Sequence, residues 1–195
     1  MSDALHIDKT VLAPAMEYLP SRLDGPRARV PLLAICGQEA NFHHRWQVVD
    51  RGRPEKKGPA RGLWQFERGG GVRGVLTHAA SRNMAASVCR DRGVEPAVDA
   101  VYEALSEDDI LAACFARLLL WTDPAPLPPI PTQSSTFALY LRTWRPGAYT
   151  RGDRDERAQL RRKWDDYYAQ AVEAVTGRPD FSNVVGGSSS TEESR

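Results

Sequence analysis

Four residues at helical intervals constrain this chain most: Leu32, Ile35, Cys36 and Glu39. They fall at i, i+3, i+4 and i+7, which places them on one side of a helix. The first three form an apolar stripe that must face a core. Glu39 extends the stripe by one turn, so a carboxylate stands at the rim of apolar packing. Desolvation there disfavours the charged form and raises the pKa. A carboxyl that keeps its proton near neutral pH is what a general acid needs, as a glycosidase acid does. Pro31 falls in the expected first turn of this helix, where a missing N–H costs nothing.

A second stretch follows, Gly58-Pro59-Ala60-Arg61-Gly62-Leu63-Trp64-Gln65-Phe66-Glu67. Gly58 and Gly62 permit tight turns and close approach of backbone to a ligand. Trp64 offers a flat apolar face for a sugar ring. Gln65 supplies donors and an acceptor. A loop of this kind beside a proton-holding Glu39 suits a polysaccharide cleft. Glu67 has two readings: the second carboxylate of a two-acid glycosidase, or a salt-bridging brace for the loop.

Both stretches resemble one family. Gln38-Glu39-Ala40-Asn41-Phe42 is similar to the Q-E-S-x-F segment that carries the catalytic Glu of lytic transglycosylases and goose-type lysozymes. Gly58 to Phe66 resembles their G-A-x-G-L-M-Q-I segment, with one residue inserted, and the two motifs occur in the same order. The resemblance implies a lysozyme-like helical domain with Glu39 as general acid and base. The substrate is then the bond between N-acetylmuramic acid and N-acetylglucosamine in peptidoglycan strands. Gly62, Trp64, Gln65, Arg61, Glu67 and Tyr140 become candidate substrate-binding residues. In the family a late Y-N-x-G helix projects a Tyr hydroxyl toward the acid. Tyr140 is the nearest match, although Leu141-Arg142 replaces the Asn; core packing is the rival reading of Tyr140. No cofactor and no metal are expected.

Charge and composition fit this class. Of 195 residues, 26% are charged and 42% hydrophobic, ordinary values for a globular protein long enough to bury a core. The net charge of +1 does not announce a nucleic-acid partner. From Arg45 to Arg73, however, Arg45, Arg51, Arg53, Lys56, Lys57, Arg61, Arg68 and Arg73 outnumber Asp50, Glu55 and Glu67. That stretch reads as a solvated loop, or as a cationic wall for an anionic polymer. Peptidoglycan is the expected polymer and DNA the lesser alternative. His43 and His44 do not form His-Glu-x-x-His and are expected at a helix end, not on a metal. Gly69-Gly70-Gly71 lacks the Gly-Lys-Ser/Thr ending of a phosphate loop and reads as a turn. Cys36, Cys89 and Cys114 lie in apolar helical patterns, so buried free thiols are expected.

Met1 to Pro20 shows no basic start followed by an apolar run, and no stretch is long and apolar enough for a membrane span. A wall-cleaving protein without a secretory signal needs another route. A bacteriophage supplies one, through a virion or through a holin. The expectation is therefore synthesis in a host cytoplasm and delivery to the wall, with other virion proteins as possible partners. An inactive virion protein that keeps the fold is the competing reading.

The rest of the chain reads as helices. Asp8 to Leu19 forms a short one, with Val11, Leu12, Ala15 and Leu19 on one face. Thr77 to Arg92 forms another, capped by Thr77 and closed by Gly93, with His78 in a capping or packing role. Pro96 opens a short helix through Val98, Val101, Tyr102 and Leu105. Ser106 to Asp109 starts a strongly apolar helix running to Trp121. Asp123 is a further candidate carboxylate or a turn residue. Five prolines between Asp123 and Pro131 enforce an extended connection. Helices follow from Thr136 to Trp144 and from Asp155 to Thr176. Val48-Val49 and residues near Trp64 are expected to pair briefly, with little or no other sheet. The expected divisions are residues 1–29 as an N-terminal helix and connection, 30–177 as the main domain, and 178–195 as a disordered tail.

Overall fold

The structure, a computed structural model, describes residues 2–49, 52–53 and 56–178. The fold is mainly helical with one small sheet, as the sequence patterning implies. The tail from residue 179 lies outside the described residues, as do Asp50, Arg51 and Glu55 of the basic stretch.

The N-terminal segment starts earlier than its periodicity predicts. Helix α1 (Asp3–Ile7) is capped by Ser2, whose hydroxyl accepts from Leu5 N. A π-helical turn over Asp8–Leu12 carries it into α2 (Ala13–Met16). Ala4, Ile7, Val11, Leu12, Ala15 and Met16 are all buried in the same cluster as the rest of the core. Residues 2–29 are thus packed into the body of the domain.

Helix α3 (Pro26–Ala40) is the central element. Gly25, at φ +133°, turns the chain into it, and Pro26 takes the first helical position. The start therefore precedes Pro31 by more than a turn, and Pro31 sits inside the helix. Residues Val30 to Gln38 are buried without interruption, so α3 is enclosed on all sides. It ends at Asn41, held in the left-handed region at φ 49°.

A three-stranded antiparallel sheet follows in the order β1 (Trp46–Val48), β2 (Lys57–Arg61), β3 (Phe66–Glu67). Trp46 opposes Arg61, Val48 opposes Lys57, and Ala60 opposes Glu67. The central strand is the Gly-Pro-Ala-Arg segment read from sequence as loop. Its alternating burial makes it a strand despite Pro59, which gives no N–H to the ladder.

The expected helix from Thr77 to Arg92 is two helices. Helix α4 (Arg73–Thr77) ends at extended His78, and α5 (Arg82–Asp91) begins after a turn. Ser81, fully buried, donates its hydroxyl to Val75 O (2.7 Å) and locks that corner. His78 accepts from Ala80 N, a local turn role. Helices α6 (Val98–Ala104), α7 (Asp109–Trp121), α8 (Gln133–Trp144), α9 (Gly147–Thr150) and α10 (Arg154–Thr176) complete the fold. Asp108 caps α7 by accepting from Leu111 N. Asp153 and Glu156 form a capping box at α10, which Gly177 closes. Cys36, Cys89 and Cys114 are buried free thiols, and burial raises Cys89 to about 11 and Cys114 to about 12.

Candidate active site

Glu39 stands in the last turn of α3, half-buried between α8 and α10. Its position follows from Gly37. A Cβ at Gly37 would lie 2.3 Å from the Tyr167 ring, so only glycine lets α10 come this close. Tyr167 then donates to Asn41 Oδ1 (2.8 Å) and meets Phe42 edge-on, fixing the end of α3. Lys163, one turn earlier on α10, donates to Gln38 O (2.6 Å).

Tyr140 on α8 donates its hydroxyl to Glu39 Oε1 at 2.6 Å. The Tyr140 ring is 1% exposed and stacks on Trp164, with centroids 5.0 Å apart and planes 16° from parallel. The two rings leave the hydroxyl one direction to point. Burial and the adjacent carboxylate raise the phenol well above its ordinary pKa, so it stays a donor.

The Glu39 carboxyl is held above its ordinary pKa. Burial is the largest cause. The Tyr140 hydrogen bond and the Lys163 charge oppose it, and the Glu67 charge adds to it. Glu67 is exposed at the end of β3. It therefore acts on Glu39 as a nearby negative charge.

The glycine-bearing turn packs against α3, but its Trp64 faces the core and not a cleft. The Trp64 ring is fully buried, and its Nε1 donates to Leu32 O (2.9 Å). It has no face left for a sugar. Gly62, at φ +72°, packs against Leu105 O, its N–H donates to Arg45 O, and its carbonyl accepts from both Gln65 N and Gln65 Nε2. Gln65, left-handed at φ 51°, also donates to His44 O. Trp144 closes the arrangement by donating Nε1 to Trp64 O (2.9 Å). Residues 62–65 are thus a clamp that joins the Glu39 helix to the Tyr140 helix.

Other candidates separate from the acid. Arg61 donates to Gly58 O and Ala60 O and lies over the Tyr102 ring at 4.9 Å. Much of the basic stretch is spent locally. Arg45 pairs with Asp109, Arg68 with Asp99 and Glu103, and Lys57 covers the Trp46 ring. Asp123 is a turn residue: it accepts from Ala125 N and pairs with Arg142 at 2.5 Å. His43 is exposed and meets Asp3. Among the described residues no cluster of metal-ligating side chains occurs. Glu39 lines neither of two cavities on the surface, one beside His6, Phe42 and Asp109, the other at the start of α3.

Lys163 escaped the sequence reading. It neighbours Trp164 on the apolar side of α10, but a lysine beside a core stripe usually reads as solvated. Comparison of the chain with family models, with curated proteins and with solved structures finds no match. No helix among the described residues is long and apolar enough to cross a membrane.

Proposed function

We propose that this protein cleaves peptidoglycan glycan strands as a lytic transglycosylase, with Glu39 as the single general acid and base. The observation that carries this reading is the half-buried Glu39 carboxyl, whose pKa burial raises and which the Tyr140 hydroxyl orients at 2.6 Å. Resemblance of Gln38 to Phe42 to the family's acid-bearing segment supports the same role.

The proposed reaction has two proton movements. Glu39 gives its proton to the glycosidic oxygen between N-acetylmuramic acid and N-acetylglucosamine, and that bond breaks. The resulting carboxylate takes the proton of the muramic 6-hydroxyl, whose oxygen closes on C1 to give an anhydro ring. One carboxylate suffices, which agrees with Asp123 being committed to Arg142. Tyr140 is a positioning residue: its hydrogen bond steadies the carboxylate formed between the steps. Acid–base assistance of this kind contributes roughly 10²–10⁴-fold. The strand would lie along the exposed side of Glu39, near Glu67. In a phage setting the protein would act from a virion or a lysis cassette.

A second reading has its own observation. Gly62 and Trp64 are buried, and Gln65, half-exposed, spends its Nε2 on Gly62 O and His44 O, so the sugar contacts expected of that turn are reduced. A virion protein that keeps the fold without activity would look the same. Zymography on cell walls separates the two: a clearing band that vanishes in Glu39→Gln supports the enzyme. No clearing by the folded parent supports the inactive protein.

A further inference from the structure

A cavity of about 790 Å³ opens at the opposite end of α3 from Glu39. Its walls are largely apolar, from Leu23, Leu120, Trp121, Pro126 and Leu127. Arg117 lines it from the middle of α7, in a stripe otherwise made of core residues. The side chain is 2% exposed. Its Nε donates to Leu23 O (2.6 Å), while Nη1 has no hydrogen-bond partner among the described residues. A buried guanidinium N–H without an acceptor is costly, and such groups mark places where something else is accepted.

The surroundings favour an anion. Burial lowers Arg117 to about 10, against the pull of Asp24, so it remains a cation at neutral pH. The two acids at the cavity are already held from outside it. Asp24 is bonded twice by Arg29 (2.7 and 2.8 Å), and Asp123 is paired with Arg142. Arg22 lies over the outer Trp121 ring at 5.9 Å and Arg117 over the same ring at 5.7 Å. The N-terminus of the 15-residue α3, which has no side-chain cap, also borders the space. Gly25 O already accepts from Ala28 N and Arg29 N, so the helix contributes its dipole and not open amides.

We propose that this cavity binds a small amphipathic oxyanion, its head on the Arg117 guanidinium and its apolar body against Trp121 and the proline-rich wall. A carboxylate and a phosphate monoester share the required head: oxygens that accept from a planar N–H fork. The volume is that of an ordinary small-molecule site.

Titration calorimetry of the full chain tests this, using octanoate, octyl phosphate, inorganic phosphate and octyltrimethylammonium below their micelle concentrations. Saturable one-to-one binding of octanoate or octyl phosphate is expected, with the tighter of the two identifying the natural head. Octyltrimethylammonium should not bind. Arg117→Met should weaken binding about tenfold or more, whereas Glu39→Gln should leave it unchanged. Should Arg117→Met fail to fold, Arg22→Ala and the Trp121 indole resonance, assigned with Trp121→Phe, serve instead. Weaker binding in Arg22→Ala and a shifted indole signal support the site. Equal binding of both head charges, no saturable binding of either anion, or an unmoved indole overturns it.

Discussion

Glu39, Tyr140 and Glu67 form a small electrostatic system whose parts have separable signatures. The reaction as proposed starts from protonated Glu39, so its rate falls as pH rises through that raised pKa. Tyr140→Phe removes a hydrogen bond that favours the carboxylate. The alkaline limb of the pH–rate profile should then move to higher pH while the maximal rate drops, by about tenfold or more for a bond to a charged group. Glu67→Gln removes a negative charge that helps hold the proton. Its alkaline limb should move the opposite way, and only slightly, because Glu67 is exposed and screened. Profiles measured on soluble glycan fragments check both signs. Stability carries a matching signature. A carboxyl with a raised folded pKa gives full stability below its unfolded pKa and loses it as pH rises toward the folded value. Glu39→Gln should therefore raise Tm at pH 7 relative to the parent and leave it unchanged near pH 4.

At the scale of elements, the site depends on how closely three helices meet. Gly37→Ala places a methyl group into the Tyr167 ring. The ring or α10 must shift, at a cost of about 1–3 kcal/mol, read as a lower urea midpoint with unchanged slope. Trp144→Phe frees Trp64 O and loosens the clamp between α3 and α8. A loss of about 1 kcal/mol is expected. This is also the scale at which the sequence was only partly legible. Periodicity located α3, α7 and α10, because their apolar stripes are long. It put Glu39 at the end of an apolar stripe; Glu39 does stand in the last turn of α3, but that helix is buried on all sides and not along a stripe alone. It misread residues 57–61 as loop, because Gly58 and Pro59 are loop residues by local preference and only pairing with β1 and β3 makes them a strand. It merged α4 and α5 because Ser81, the residue that breaks them, bonds to Val75 O through tertiary packing. Trp64 suggests a ligand platform in the sequence because sequence gives an aromatic's presence but not its direction. The direction is fixed by Leu32 O, 32 residues away. Arg117 and Lys163 were invisible for the same reason: their partners, Leu23 O and Gln38 O, are remote in the chain.

For the whole molecule, a single core joins the N-terminal helices to α3, α7 and α10. Removal of residues 1–16 would expose the buried faces those helices cover. The truncated chain should lose cooperative unfolding, whereas the full chain should unfold in one transition seen alike by far-ultraviolet circular dichroism and tryptophan fluorescence. That core holds Glu39 half out of water at one end of α3 and closes around Arg117 at the other. The proposed chemistry needs only the first of these. Mass spectrometry of fragments released from purified sacculi tests it most directly, with parent and Glu39→Gln assayed side by side. Muropeptides ending in an anhydro ring from the parent, and none from the variant, are the predicted result. Release of the same fragments by Glu39→Gln at the parent's rate would contradict it.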